Sequence, residues 1–587
     1  MYKSECFNYC IYVDILISIL FVGGIFFIPA CMMEQFTMNT SLFISVMVAS
    51  LLLFSVNNEN LYKNLGIPEI IICVLIICFS FRTDISLNFI RVEATILYIY
   101  IIVKCYYTDT YNYNNIYTML ALLSFVVSVY GILQLFYLVP SFNSMYSITG
   151  PFDNPAGIAM LLAVLFPYLF YNYNRSRNRG VRIMMILGMC MAVTCIVCSE
   201  SRTGIVALLF TVLFIFYSKW KRYAKILVSA LTVILFILMY MYKPLSANGR
   251  LFINYNCWNI LGKHFWWGNG VYGFDSQYMP QQAEYFKNHS DSLWERVADN
   301  VNFPFNEFIG CAINWGIIGL LAILSLIACA IFFSIKYKKE DKCYARASLA
   351  AFFICACFSY PLYYPIMRVL LVISLCILLS KPFVSKRKSS GKLRVFQKNI
   401  TVLVAVGLLI LSAWQIHHEL KWKQVADMAV NGNEESAFPE YRKLHGSFYF
   451  KHHPYFLYNY GFVLHELGLY QRSLSVLQDC ELCLNNYDVQ ILEASNYGKK
   501  GEYVKAVEKY MQAHYMIPCR LLPLYRIMKI YDRLNEKGKA CAVALKADQM
   551  QIKVSSYEVN YMKTEIKKYL SNFKMKEGGV THGIDKN

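Results

Sequence analysis

Residues 242–250 read YKPLSANGR, and residues 306–319 read NEFIGCAINWGIIG. The first stretch leaves one long apolar run and the second enters another. Between them lies the longest polar interval in the first two thirds of the chain. It carries Arg250, His264, Trp266, Trp267, His289, Asp291, Glu295, Arg296, Asn306 and Glu307. A polar interval bounded by two apolar runs reads as a loop between membrane spans. Loops on rigid scaffolds often carry function, and a plain connector of this length is uncommon.

Composition supports a membrane setting. The chain has 587 residues, 57% of them hydrophobic and 16% charged, with a mean hydropathy of +0.39. Soluble domains average about 25% charged. Runs 13–31, 42–56, 70–81, 117–139, 157–171, 205–217, 226–242 and 317–335 nearly lack charge. With their flanks, most approach the ~20 residues that span a bilayer as helix. The first run is too long for a signal-peptide core and lacks a clear cleavage site, so it reads as an uncleaved span. The net charge of +19 does not point to nucleic acid, because much of it sits in short loops that set topology. The 20 cysteines lie mostly in apolar segments, where a thiol acts as a small apolar side chain. Cys480 and Cys483 form C-x-x-C, but in a helical-repeat setting that suits neither a zinc site nor a redox motif.

Four basic clusters order the spans. They are Arg175, Arg177, Arg179 and Arg182; then Lys219, Lys221 and Arg222; then Lys336, Lys338, Lys339 and Lys342; then Lys381, Lys386, Arg387, Lys388, Lys392 and Arg394. Successive clusters are separated by two apolar runs, so the positive-inside rule places all four in the cytoplasm. The N-terminus is then cytoplasmic, and a last span near 402–416 sends the C-terminus outside. The expectation is an all-α polytopic protein with about twelve core spans plus one. Three polar points fall on the outer face: residues 148–155, residues 199–204 and the large loop.

Beyond Trp414 charge rises, apolar runs end and a period near 3.6 appears. Tyr460-Gly461, Leu467-Gly468, Gly501-Glu502-Tyr503 and Gly538-Lys539-Ala540 recur in a pattern that resembles tetratricopeptide repeats, whose period is about 34 residues. The expected organisation is a membrane domain over 1–400 with an external loop at 243–307, a last span over 401–420, three helical repeats within 421–573, and a disordered tail over 574–587.

Arg202, in Ser199-Glu200-Ser201-Arg202-Thr203-Gly204, and Arg250, in Ala247-Asn248-Gly249-Arg250, are the outer-face arginines. An arginine at a membrane boundary can snorkel to headgroups. A guanidinium also grips phosphate oxygens in a two-pronged fork and keeps its charge in a dry site. Gly268-Asn269-Gly270-Val271-Tyr272-Gly273 matches G-x-G-x-x-G but lacks the strand–turn–helix setting of a dinucleotide site, so it reads as turns beside two interfacial tryptophans. His264 and His289 are the only histidines before residue 417. A histidine is a ready base near neutral pH, and Asp291, Glu295 and Glu307 are the other candidates. No zinc spacing and no paired carboxylates for a divalent metal occur in the loop.

Ser201-Arg202-Thr203-Gly204, Gly249-Arg250, the 268–278 stretch, and Asn306 followed by Gly316 and Gly319 resemble the bacterial O-antigen ligase and polymerase family, over roughly 117–380. That family's closing motif is His-Asn (or Ser, Gln), nine residues, Gly, two residues, Gly. Every part is present here except the histidine, which is Phe305. The resemblance implies a metal-independent glycosyltransferase of the GT-C type, without cofactor, in the bacterial inner membrane. It would act on the periplasmic face on a glycan carried by undecaprenyl diphosphate, with a lipid, such as that of lipopolysaccharide, or a protein as acceptor. Arg202 and Arg250 take the role of holding the diphosphate, with Asn306 beside them in substrate binding. The histidine's role has no matching residue, and His289 and Glu307 remain the candidate bases. Inverting transfer to an acceptor and polymerisation of repeat units both fit. A transporter of lipid-linked glycan is the contrasting class, but such proteins tend to show repeated halves, which these spans lack. The repeats would hold an acceptor or a protein partner.

Overall fold

The computed structural model describes residues 2–27, 31–58, 61, 87–108, 113–216, 221, 223, 241, 244–289, 292–336, 341–379 and 391–581. Among these residues there is no strand, and the chain is an all-α polytopic membrane protein. The helices before the large loop are α1 (Tyr2–Phe26), α2 (Thr40–Ser55), α3 (Leu87–Val103), α4 (Asn114–Leu135), α5 (Pro155–Arg175), α6 (Arg179–Cys198) and α7 (Arg202–Phe216). After the large loop come α10 (Glu307–Lys336), α11 (Lys342–Phe358), α12 (Pro365–Leu379) and the 40-residue α13 (Gly391–Val430). The loop itself is not extended chain: it forms α8 (Pro244–Lys263) and α9 (Gly273–Asn288). Six described helices are long and apolar enough to cross a membrane, and three shorter apolar helices accompany them. The expected runs at 70–81 and, apart from Met241, 226–242 lie outside the described residues, as do Lys219, Arg222, Lys338, Lys339, Lys381, Lys386, Arg387, Lys388 and Asp291.

The chain packs as two units. The first is Met1–Tyr242, Phe305–Cys311 and Ile318–Lys423. Its centre is α5, which is apolar on all sides and buried along almost its whole length against α4, α6, α7 and α11. A helix hydrophobic all round belongs in such a position. By contrast α10 exposes Leu321, Phe332 and Ile335, as a lipid-facing span should. Helix α3 carries Arg91 in an apolar setting. The residue is fully buried, yet its guanidinium donates to Gln415 Oε1 (2.5 Å), Ser41 O (3.0 Å), Ser45 Oγ (2.6 Å) and Asn88 Oδ1 (2.6 Å). Hydrogen bonds on this scale make a charge tolerable there, and the arginine thereby ties α2, α3 and α13 together.

The second unit is Lys243–Pro304, Ala312–Ile317 and Gln424–Asn587. After α14 (Glu434–His445) come three helical hairpins: α15 (Pro454–Glu466) with α16 (Tyr470–Glu481), α17 (Tyr487–Lys499) with α18 (Tyr503–Met516), and α19 (Leu522–Arg533) with α20 (Lys537–Gln549). Each hairpin turns on one left-handed residue, at Gly468, Gly501 and Asn535. The hydrogen bonds repeat as well. Leu469 N donates to Leu464 O, Glu502 N to Tyr497 O and Glu536 N to Tyr531 O, each at 2.9 Å. The turns are therefore 33 and 34 residues apart (501 − 468 and 535 − 501). Helix α21 (Tyr557–Thr581) closes the array through Met562, Ile566 and Leu570. It runs through residues 574–581, which the sequence assigns to a disordered tail. Lys574, Met575, Lys576 and Glu577 are good helix formers and extend a helix already anchored by packing.

The sequence groups the large loop with the membrane domain, whereas in the structure it packs on the repeats. Helix α9 lies against α18. Gln282 Nε2 donates to Met516 O (2.6 Å), Asn300 Nδ2 donates to Asp488 Oδ2 (2.9 Å), and Asn485 N donates to Asp275 O (3.1 Å). Asp299 pairs with Arg520 (3.3 Å) and Lys553 (2.9 Å). Loop and repeats thus form one unit.

Asp275 sits in this contact, and burial pushes its carboxyl up from 3.8 to about 7. A raised folded-state value means its contribution to stability is fully present below 3.8 and is lost as pH rises through about 7. Asp275→Asn is therefore expected to raise the melting temperature above about pH 7 and to leave it near wild type below 3.8. Melting curves of the solubilised full chain across that range check the sign.

Candidate active site

At one end of the first unit four chain segments meet. Residues 149–154 turn into α5. Gln134 fixes this turn: its Oε1 accepts from Thr149 N (3.1 Å) and Gly150 N (2.7 Å). Asn154 then caps α5 by accepting from Ala156 N (2.9 Å). Residues 199–202 turn into α7, where Ser201 Oγ accepts from Gly204 N (3.3 Å). That leaves Arg202 as the first helical residue, half-buried. Thr203, beside it, donates to Phe358 O (3.4 Å), and Phe358 leads into the third segment.

That segment, between α11 and α12, is a short 3-10 turn at Pro361–Tyr363. Tyr364 is buried and donates to Asp153 Oδ1 (2.8 Å), and its ring meets Phe152 edge to face at 4.7 Å. The fourth segment is Phe305, Asn306 and Glu307. Asn306 Oδ1 accepts from Phe308 N (3.0 Å) and Ile309 N (3.1 Å), so Asn306, read from sequence as a substrate contact, caps α10. Glu307 Oε1 accepts from Leu362 N at 2.7 Å, which draws the carboxylate onto the Pro361–Tyr363 turn. Arg368 donates to Leu362 O at 2.5 Å and lies within electrostatic reach of Glu307 and Glu93.

Two residues here hold left-handed backbone without being glycine: Glu200 (φ 51°) and Phe305 (φ 52°). Each costs about 1–3 kcal/mol, and such strain gathers at functional sites. Phe305 stands where the resembled family has histidine. Histidine is enriched in left-handed backbone and phenylalanine is not, so the backbone at 305 is one that a histidine would adopt more readily than the phenylalanine present. Its ring meets Tyr360 at 5.6 Å.

Arg202, Asn306 and Glu307 thus belong to one end of the first unit. Arg250 and His289 belong to the second. Arg250 lies half-buried on α8. His289 ends α9, exposed, with Nδ1 2.9 Å from Tyr285 O and its ring stacked on Tyr285 at 4.4 Å. Sequence reasoning missed Asp153, Tyr364, Arg368 and Glu93. Asp153 stands in the outer-face stretch 148–155, and Tyr360-Pro361-Leu362-Tyr363-Tyr364-Pro365 is visible as a break between two apolar runs. Nothing in the sequence says that this break meets Glu307.

The glycine-rich stretch of the loop has a structural role. Gly268 (φ 72°) and Gly316 (φ 68°) let residues 266–270 cross residues 312–317 backbone to backbone. Asn269 N donates to Ile313 O (2.8 Å), Gly270 N to Asn314 O (2.9 Å) and Ile317 N to Phe265 O (2.9 Å). Asn314 Oδ1 accepts from Phe274 N (3.0 Å) and starts α9. A Cβ on Gly316 would stand 2.2 Å from Trp266 O. Gly316→Ala is expected to destabilise this crossing by more than the ~1 kcal/mol of backbone strain alone, whereas Gly270→Ala meets nothing within 4 Å and carries only the strain. Limited proteolysis of the loop in membranes should separate the two variants.

Among the described residues no three His, Cys, Asp or Glu are grouped to hold a metal ion.

Residues 186–324 match the O-antigen ligase family. The match runs from within α6 into α10 and contains Arg202, Arg250, His289, Asn306 and Glu307. Asp153 and the Pro361–Arg368 segment lie outside it. Comparison with curated proteins gives no match. A domain of this family in a multi-pass membrane protein supports a glycosyltransferase-like enzyme of the ligase or polymerase type, acting in O-antigen assembly on a lipid-linked glycan.

Proposed function

We propose that the protein transfers a glycan from undecaprenyl diphosphate to an acceptor on the outer face of the bacterial inner membrane, by ligase-like inverting transfer without a metal. The observation that carries this reading is the set of side chains at the end of the first unit. Arg202 opens a capped helix, whose N-terminal amides favour an anion. Close by in the same end, carboxylates Asp153 and Glu307 are each oriented by a hydrogen bond. A leaving diphosphate needs the first kind of group, and an attacking hydroxyl needs the second. Arg202 and Arg250 each stabilise negative charge on the diphosphate as the glycosidic bond breaks, an electrostatic effect that usually dominates catalysis. The acceptor hydroxyl attacks the anomeric carbon and gives its proton to Glu307, with His289 as the alternative base. Asn306 positions the site by capping α10 and fixing Glu307 at its start.

The basic clusters support a cytoplasmic N-terminus and a periplasmic repeat domain. The 33- and 34-residue spacing of the hairpin turns supports tetratricopeptide-like repeats. Packed on the loop, they hold it in shape and offer a surface for an acceptor or a protein partner.

The test removes the protein and examines glycans by gel and by lipid extraction. Loss of a ligase strands long chains on undecaprenyl diphosphate and leaves the acceptor bare. An acceptor carrying a single repeat unit would instead assign polymerisation to the same site.

A further inference from the structure

Helix α8 is apolar on two opposite faces. One face buries Phe252, Ile253, Cys257, Ile260 and Leu261. Its Phe252 ring lies against Tyr285, Phe286 and Trp294. The other face carries Leu251, Tyr255 and Trp258, which are 54%, 44% and 63% exposed; the Tyr255 ring also reaches round to Tyr285 and Trp294, at 5.7 and 5.6 Å. At 100° per residue Leu251, Tyr255 and Trp258 fall within an arc of roughly 60°. The turn that follows adds Phe265, Trp266 and Trp267, at 42%, 63% and 58% exposed. A polar loop in water has no use for six large apolar side chains in one stretch, two of them adjacent tryptophans.

Both ends of this segment adjoin apolar runs of the chain. Pro244, the first residue of α8, directly follows the run at 226–242 that the sequence assigns to the membrane. The far end is held by hydrogen bonds: Phe265 O accepts from Ile317 N at 2.9 Å, and Trp266 O lies beside Gly316. Ile317 is the residue at which α10 resumes beyond its non-helical Gly316 and becomes the long apolar span. A 20-residue helix is about 30 Å long. A helix tethered to an apolar run at its start and, through the turn after its end, to a second one is suited to lie along a membrane surface.

We propose that α8 and the 265–267 turn form an interfacial element, with Leu251, Tyr255, Trp258, Phe265, Trp266 and Trp267 immersed in the outer leaflet of the bilayer. Tryptophan and tyrosine favour this depth, where an apolar ring meets hydrocarbon and its polar tip meets headgroups. An in-plane helix of this kind buries its apolar face about 5–10 Å into the headgroup boundary. The bilayer then sets the level of the whole loop, and through α9 that of the repeats packed on it.

Photocrosslinking of the full-length protein tests this. p-Benzoylphenylalanine is introduced in place of Leu251 or Trp258, neither of which makes a ring contact that the fold needs. The protein is reconstituted in vesicles of phosphatidylethanolamine and phosphatidylglycerol, irradiated and analysed by mass spectrometry. Phospholipid adducts are expected at both positions, comparable to those at Leu321 on the exposed face of α10. Lys287 on α9 should give background only. Crosslinks to a second copy, or to another protein when the experiment is repeated in native membranes, would overturn the proposal. So would background signal at both positions while Leu321 forms its lipid adduct. None of these outcomes depends on glycan transfer.

Discussion

Arg202→Ala and Arg250→Ala are each expected to abolish glycan transfer while the protein remains inserted and folded. Folding should survive because other groups hold both helices. Ser201 caps α7 with its own hydroxyl, and α8 is held by its buried stripe and the aromatic cluster around Trp294. The cost falls on binding and on the transition state. A hydrogen bond to a charged group is worth about 1.5–3 kcal/mol, and removing a single preorganised donor to developing negative charge typically costs about 100–1,000-fold in rate. The diphosphate gains one negative charge as the sugar leaves, so a lost arginine weakens both binding and the transition state. Arg→Lys should rescue poorly at either position, because lysine keeps the charge and loses the planar fork. Transfer from a purified lipid-linked glycan in reconstituted membranes is the measurement. Wild-type rate in either alanine variant would make that arginine a headgroup anchor and leave the other to carry the diphosphate.

How far the sequence led to this point depends on the range of the interaction. Spans were legible because an apolar run and a basic loop are local properties, read one segment at a time. The hairpin repeats were legible for the same reason: Gly468 and Gly501 mark turns by their own backbone freedom, and the spacing repeats along the chain. The role of Gly316 was half legible. Its spacing from Asn306 was plain, but only the fold shows that Trp266 passes over it. What could not be read was contact between distant segments. Asp153 and Tyr364 are 211 residues apart, and Gln282 and Met516 are 234 apart. Neither pair has a periodic or compositional signature. The docking of the loop on the repeats, and the meeting of Glu307 with the Pro361–Tyr363 turn, are of this kind. Asn306 carries two readings at once: a family-like position suggests substrate binding, and local helix chemistry, Asn before Glu-Phe-Ile, spells the N-cap that the structure shows.

The choice of base follows from the same geometry. Glu307→Gln is expected to lower the transfer rate by about 100-fold or more, the usual contribution of a general base, whereas His289→Ala should change it little. Glu307 is half-buried at a helix start, with one oxygen fixed by Leu362 N. A carboxylate held in one orientation can take a proton along a defined line, and glutamine keeps the size and the acceptor oxygen while losing the basicity. His289 is exposed and faces its own helix through Tyr285 O, as a solvated helix-ending residue does. Rate should fall in kcat, with KM nearly unchanged, if Glu307 acts on the proton alone. A rise in KM with kcat preserved would mean that it only shapes the pocket. Phe305→His in the Glu307→Gln background carries the test one step further. The left-handed backbone at 305 accepts histidine more readily than phenylalanine, and the imidazole would enter the same end of the unit that Glu307 occupies. Partial recovery of rate, with a pH profile shifted toward that of an imidazole, would show that carboxylate and histidine are alternative solutions to one proton transfer. No recovery, together with a large loss in His289→Ala, would move the base into the loop.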